Sequence, residues 1–190
     1  MQRDEAWKLL AEYTTNPALL RHALAVEAAM RHYAHLGGHN EELWGATGLL
    51  HDFDYERFPD APQHTCEGAK ILRQRGVDEE IVTAILSHAD WNVADYPRDT
   101  PLRQTLFAVD ELCGLINAAA LVRPLRLEGM KAKSIRKKMK QPSFAAAVNR
   151  DDITSGAALL EIDLNEHIDN CIAAMASIAE QLELRPEATS

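Results

Sequence analysis

The sequence predicts an all-α protein built as a single-domain helical bundle. Three observations carry that prediction. Nearly every periodic segment repeats its apolar residues with the helical period. Cap-plus-proline helix starts recur, at Asn16-Pro17 and Thr100-Pro101. No run alternates apolar and polar residues in the manner of a half-buried strand. With 190 residues, 46% of them hydrophobic and 26% charged, the chain can bury one sizeable core.

The elements follow in order. Residues 3–13 form a short amphipathic helix with Trp7, Leu10 and Ala11 on one side. The helix opened by Asn16-Pro17 runs to Gly37-Gly38 with the stripe Leu19, His22, Ala25, Val26, Ala29, so His22 sits in the apolar face. Asn40 caps a helix that ends near His51-Asp52, and a loop with Pro59 and Pro62 follows. His64-Thr65 starts a helix ending at Gly76, and Asp78 caps another with Ile81, Ala84, Ile85 and His88 on one face. After a loop over 89–99, the helix from Thr100-Pro101 runs to about Val122, with Leu106, Asp110, Cys113, Gly114 and Asn117 sharing a face. Ser143 and Asp151-Asp152 are expected to start two short helices, and a last amphipathic helix is expected over about 163–183, with Arg185–Ser190 frayed.

Composition excludes several classes of protein. The net charge of −9 argues against general coating of nucleic acid and against a nucleic-acid partner. Cys66, Cys113 and Cys171 are widely spaced without a CxxC pair, so neither a disulfide framework nor a zinc finger is expected. No apolar run approaches the ~20 residues that span a bilayer. A cytoplasmic protein without membrane insertion is the expectation.

Chemical character concentrates around His51-Asp52. His22 lies upstream; His64, His88 and Asp110 lie downstream, each on or beside a separate predicted helix. Imidazole and carboxylate without thiolate suit Mn, Fe, Co, Ni, Zn or Mg and not a structural zinc site. Adjacent helical residues point about 100° apart. His51 and Asp52 therefore share an ion only if it sits in the angle between them, with further ligands from other helices. His22 and Asp110 stand on buried stripes that can supply them. Gly114, one turn beyond Asp110, leaves room for a metal or another backbone. A histidine on an apolar face is by itself an ordinary core residue, but an aspartate among Leu106, Val109, Leu112 and Cys113 needs a partner or an ion. His167, beside Leu164 and Ile168, reads as a packed core histidine. His32, His35 and His39 read as solvated or as partners of a helix end.

The order H…HD…H…H…D, over roughly residues 15–120, resembles the HD superfamily of metal-dependent phosphohydrolases. Within it the chain is similar to small stand-alone bacterial HD hydrolases. The matching stretches are His51-Asp52-Phe53-Asp54-Tyr55-Glu56, Asp110-Glu111-Leu112-Cys113-Gly114-Leu115-Ile116, Ala120-Leu121-Val122-Arg123-Pro124 and Lys133-Ser134-Ile135-Arg136-Lys137-Lys138. The resemblance implies one or two divalent ions, the first on His22, His51, Asp52 and Asp110, the second on Asp52, His64 and His88. Phe53-Asp54 after the HD pair, and the lack of a Gly-Tyr-Pro motif, argue against a cyclic-dinucleotide phosphodiesterase. The Glu-Asp pair of alarmone hydrolases is matched poorly by Asp54-Tyr55-Glu56.

Two acids next to the pair, Asp54 and Glu56, are candidates to take a proton from water, with Asp54 expected in a catalytic role beside Asp52. Residues 123–140 carry eight basic residues and one acid, +7 in a chain whose remainder carries −16. Arg123, Lys133 and Lys137 are expected to bind the phosphate of the substrate; a solvated helix balancing an acidic body is the alternative. The function expected is hydrolysis of a small phosphorylated molecule, with a nucleotide among the candidates. The alternative is a catalytically silent, metal- or ligand-binding regulatory protein.

Overall fold

The computed structural model describes residues 1–186. Among the described residues there are nine α-helices and no strand. They are α1 (Arg3–Tyr13), α2 (Pro17–Gly37), α3 (Glu41–Leu50), α4 (Gln63–Gln74), α5 (Glu79–His88), α6 (Pro101–Leu121), α7 (Ala132–Met139), α8 (Arg150–Leu159) and α9 (Leu164–Ser177). A short 3-10 turn, Asp90–Asn92, follows α5.

The expected start signals are made. Asn16 Oδ1 accepts from Ala18 N–H at 2.8 Å with Pro17 in the first turn, and Asn40 Oδ1 accepts from the N–H groups of Glu42 and Leu43. Gly38, at φ +67°, ends α2 in the left-handed conformation that favours glycine. Helix α3 is buried from Trp44 to Leu50 and lies against α2. At Gly48 a Cβ would stand 2.9 Å from the Val26 carbonyl oxygen. Glycine there lets the two helices approach, which brings His22 and His51 together.

The helices share one buried apolar cluster that runs from Ala6 to Leu184. Helices α8 and α9 pack on α6, and α9 also packs on α2. The three cysteines are free. Among the described residues, no helix is long and apolar enough to cross a membrane.

Two expected elements differ. No helix starts at Ser143; residues 142–147 form turns. The Arg150 guanidinium collects the carbonyls of Phe144, Ala145 and Val148, offering that backbone an alternative to helical hydrogen bonds. Helix α9 stops at Ser177, six residues short of the expected end. Leu182 and Leu184 beyond it are both buried, and residues two apart on a helix point to nearly opposite sides. Turns bury both. The part of the expected frayed end over 187–190 lies outside the described residues; Arg185 pairs with Glu180 at 3.1 Å.

Candidate metal centre

Five helices or their ends deliver the site. His22 comes from the second turn of α2, His51 and Asp52 from the end of α3, His64 from α4, His88 from the last residue of α5, and Asp110 from the middle of α6. Their donor atoms fall into two triads that share Asp52: His22, His51 and Asp52, and Asp52, His64 and His88. Asp110 joins the first, its Oδ1 at 2.9 Å from His22 Nε2 and 3.4 Å from His51 Nε2. The Nε2 atoms of His22 and His51 are 3.2 Å apart. Asp52 uses its two oxygens separately, Oδ2 at 3.4 Å from His51 Nε2, and Oδ1 at 3.2 and 3.4 Å from the Nε2 atoms of His64 and His88.

The rings are held from behind. His51 Nδ1 faces the Gly48 carbonyl at 2.8 Å, and His88 Nδ1 faces that of Ile85. A carbonyl accepts only from N–H, so the proton belongs on Nδ1 and the Nε2 lone pair is free to face the centre. His64 Nδ1 points the same way at Asp54 Oδ1, 2.9 Å off.

The donor set fits a divalent ion. Separations of 2.9–3.4 Å between donor atoms match the edges that metal–ligand bonds of about 2.1 Å produce. The Nε2 atoms of His22 and His51, 3.2 Å apart, are also placed to share a cation. Without one, protons take that place. Burial opposes the charged form of His51, but the Asp52 and Asp110 carboxylates outweigh it and hold its pKa well above the ordinary value. Burial likewise opposes charge on His64, yet hydrogen bonds to Asp52 and Asp54 push its pKa up to about 9. Burial alone would raise the pKa of Asp52 and Asp110; the charge of His51 and the surrounding imidazole donors pull both below the usual carboxylate range.

The site opens into a cleft of about 340 Å³. Besides His22, Asp52, His64, His88 and Asp110, it is lined by Tyr55, Asp90, Trp91, Phe107, Glu111 and Asp152. The Glu111 pKa is pushed up to about 7 by burial and the neighbouring Asp110 charge. Trp91 is 46% exposed, its ring 6.0 Å from that of His64. Trp91 and Asp152 went unnoticed in the sequence: one sits three residues past His88 in a loop, the other reads as an ordinary first-turn acid. Gly114 lines the cleft, but its missing Cβ relieves no close approach, the nearest side chain being Val148 at 3.8 Å.

Several expected residues stand elsewhere. Asp54, expected in a catalytic role, lies behind His64, 1% exposed, and does not line the cleft. Its Oδ1 faces His64 and its Oδ2 accepts from the N–H groups of Thr65 and Gly68, so both oxygens are engaged away from the cleft. Glu56 accepts from the Thr15 N–H and hydroxyl and the Asn16 N–H at the entry to α2, and is not at the centre. Arg123 donates to the carbonyls of Arg126 and Glu128 and so shapes the turn after α6. Lys133 and Lys137 line a separate groove between α7 and α9 that shares no residue with the cleft. His167 is buried, with its two ring nitrogens on the Tyr33 hydroxyl and the Ala108 carbonyl. His35 pairs with Glu41, and His39 stacks on Trp44.

The HD-domain family model matches residues 19–115, just over half of the chain, and the matched span holds all six candidate ligands. No match is found among curated proteins or among solved structures. The matched span, together with five helices that converge on shared His and Asp donors, assigns the chain to the HD-domain family of metal-dependent phosphohydrolases.

Proposed function

We propose that the protein hydrolyses a phosphate ester of a small molecule at a centre where His22, His51, Asp52 and Asp110 would hold one divalent ion and Asp52, His64 and His88 a second. The observation that carries this reading is the split use of the Asp52 carboxylate, one oxygen toward His51 and the other toward His64 and His88. Ions held by these residues would supply a water of lowered pKa and neutralise charge at phosphorus.

The chain's own residues do the rest. Backbone carbonyls of Gly48 and Ile85, and the buried Asp54, keep the imidazoles aimed, so little reorganisation accompanies binding. Among the described residues, no lysine or arginine lines the cleft. The nearby Arg98 guanidinium is occupied by the carbonyls of Ser87 and His88 and by Asp90, and lies over the Phe107 ring. Phosphate charge therefore falls to the metal side, and the wall of Trp91 and Phe107 is left for the organic part of the ester. A volume of about 340 Å³ suits a small molecule. Glu111 lines the cleft with a pKa pushed up to about 7, which makes it the group placed to protonate a leaving oxygen. Glu111→Gln should slow alkyl phosphates far more than p-nitrophenyl phosphate, whose leaving group needs no proton; equal slowing of both would remove Glu111 from that role.

The deciding experiment is phosphate release from a panel of phosphomonoesters and nucleotides with Mn, Co, Ni or Mg, before and after chelation. Asp52→Ala should abolish turnover together with metal content. Full metal occupancy with no turnover across the panel would favour the catalytically silent alternative.

A further inference from the structure

The basic segment does not serve the metal cleft, so its use has to be sought where it lies. Lys133, Arg136, Lys137 and Lys140 fall on one face of α7 at helical spacing, while Ala132 and Ile135 turn into the core. With Lys131 they line a groove of about 680 Å³ against Asn165 and Asp169 of α9. Among the described residues, none of these cations has a carboxylate in ion-pair contact. The carboxylate in the groove, Asp169, reaches across to accept from the Ala132 N–H at 2.8 Å. Asp163, at the start of α9, feels the charge of Arg136 without an ion-pair contact; its Oδ1 accepts from the N–H groups of Asn165 and Glu166.

Like charges three and four apart on a helix repel. Cations in the last turn are favoured by the helix dipole, which accounts for Arg136 and Lys137. It does not account for Lys131 and Lys133, which stand at the N-terminal end, where acids are favoured and α7 has none. A fold that gathers uncompensated cations at both ends of one helix, in an otherwise acidic chain, leaves their charge for something outside it.

We propose that the α7–α9 groove is a second anion site, for a small molecule that carries a chain of phosphates. From Lys133 to Lys140 the charges extend over about 10 Å along the helix, more than a single phosphate can reach. The groove volume is that of a small-molecule site. The acidic remainder of the chain, at −16, disfavours a nucleic-acid strand, and among the described residues no aromatic side chain lines the groove.

The full chain as purified is titrated calorimetrically with inorganic tripolyphosphate, with inorganic phosphate as the short control. The expected result is one binding event per chain, tighter for tripolyphosphate and weakened by added salt. Lys133→Gln with Lys137→Gln should weaken it by about tenfold or more, while metal content and hydrolysis of p-nitrophenyl phosphate stay at the parental level. Those two readouts separate failure of the groove from failure of the metal site. No binding at low salt, or equal affinity in the double variant, would overturn the proposal. So would capture of single-stranded DNA or of phosphatidylserine vesicles by a chain that ignores tripolyphosphate.

Discussion

His64 and its neighbours show how much of the site depends on residues that never face the cleft. Thr65 adopts φ +66°, an unusual conformation for a β-branched residue, and is held there by its N–H on Asp54 Oδ2 and its hydroxyl under the Asn92 amide. Gly68 completes the cradle; a Cβ there would stand 2.6 Å from Asp54 Oδ2. Asp54→Asn would aim an amide N–H₂ or a weaker acceptor at the N–H groups of Thr65 and Gly68 and leave the His64 ring without its anionic partner. The expected outcome is roughly 10–100-fold weaker binding of the second ion with the first retained, read as metal stoichiometry falling toward one, with turnover reduced. Unchanged stoichiometry would show that Asp54 does not support the site. The histidine itself makes a pH prediction. In the metal-free fold its pKa is about 9, against an ordinary value of 6.5. Its protonation thus stabilises the metal-free fold fully below about pH 6.5, and that contribution is lost as pH rises through about 9. A metal needs the neutral ring, so uptake expels the proton, and affinity should climb with pH and level off above about 9. Manganese titrations that show no pH dependence between about 6.5 and 9 would remove His64 from the ligand set.

Helices decide which residues meet, and the close approaches are set by small side chains. At Gly156 of α8 a Cβ would lie 2.5 Å from the Cα of Ala108 on α6, so one backbone must move. Gly156→Ala should cost about 1–3 kcal/mol, seen as a lowered midpoint in thermal unfolding; an unchanged midpoint would mean that the α6–α8 contact is looser than this geometry. The starts of α2, α3, α5 and α6 are legible in the sequence because caps and prolines act locally, through the first N–H groups of the same helix. The six candidate ligands are legible for a related reason: each stands at a helix end or on a buried stripe, where His and Asp are conspicuous. The role of Asp54 was not legible. Adjacent to a metal pair, an acid reads as reactive, and its burial under His64, Thr65 and Gly68 depends on a contact ten to fourteen residues away. The end of α9 and the turn over 142–147 fail for the same reason, since Arg150 and the burial of Leu182 and Leu184 are tertiary effects.

Charge is distributed over the whole molecule in a way that would make a bound metal ion a contributor to its stability. The cleft gathers Asp52, Asp90, Asp110, Glu111 and Asp152 in a chain already at −9, with lysines collected elsewhere. In the metal-free fold, protonated His51 and His64 offset part of that charge, so the core around the centre is folded yet holds protons that a metal would replace. An ion that binds the folded chain and not the unfolded one adds about 2.7 kcal/mol when its concentration is about a hundred times its dissociation constant. For a chain of this size the unfolding midpoint should then rise by roughly 5–10 °C. The increment should be larger at about pH 8 than at about pH 6.5, because fewer protons must be displaced. Asp52→Ala removes the carboxylate common to both triads, and its midpoint should no longer respond to manganese at either pH. A parental response in that variant would mean that the ion stabilises the protein from some other place, and the assignment of Asp52 as the shared ligand would fall with it.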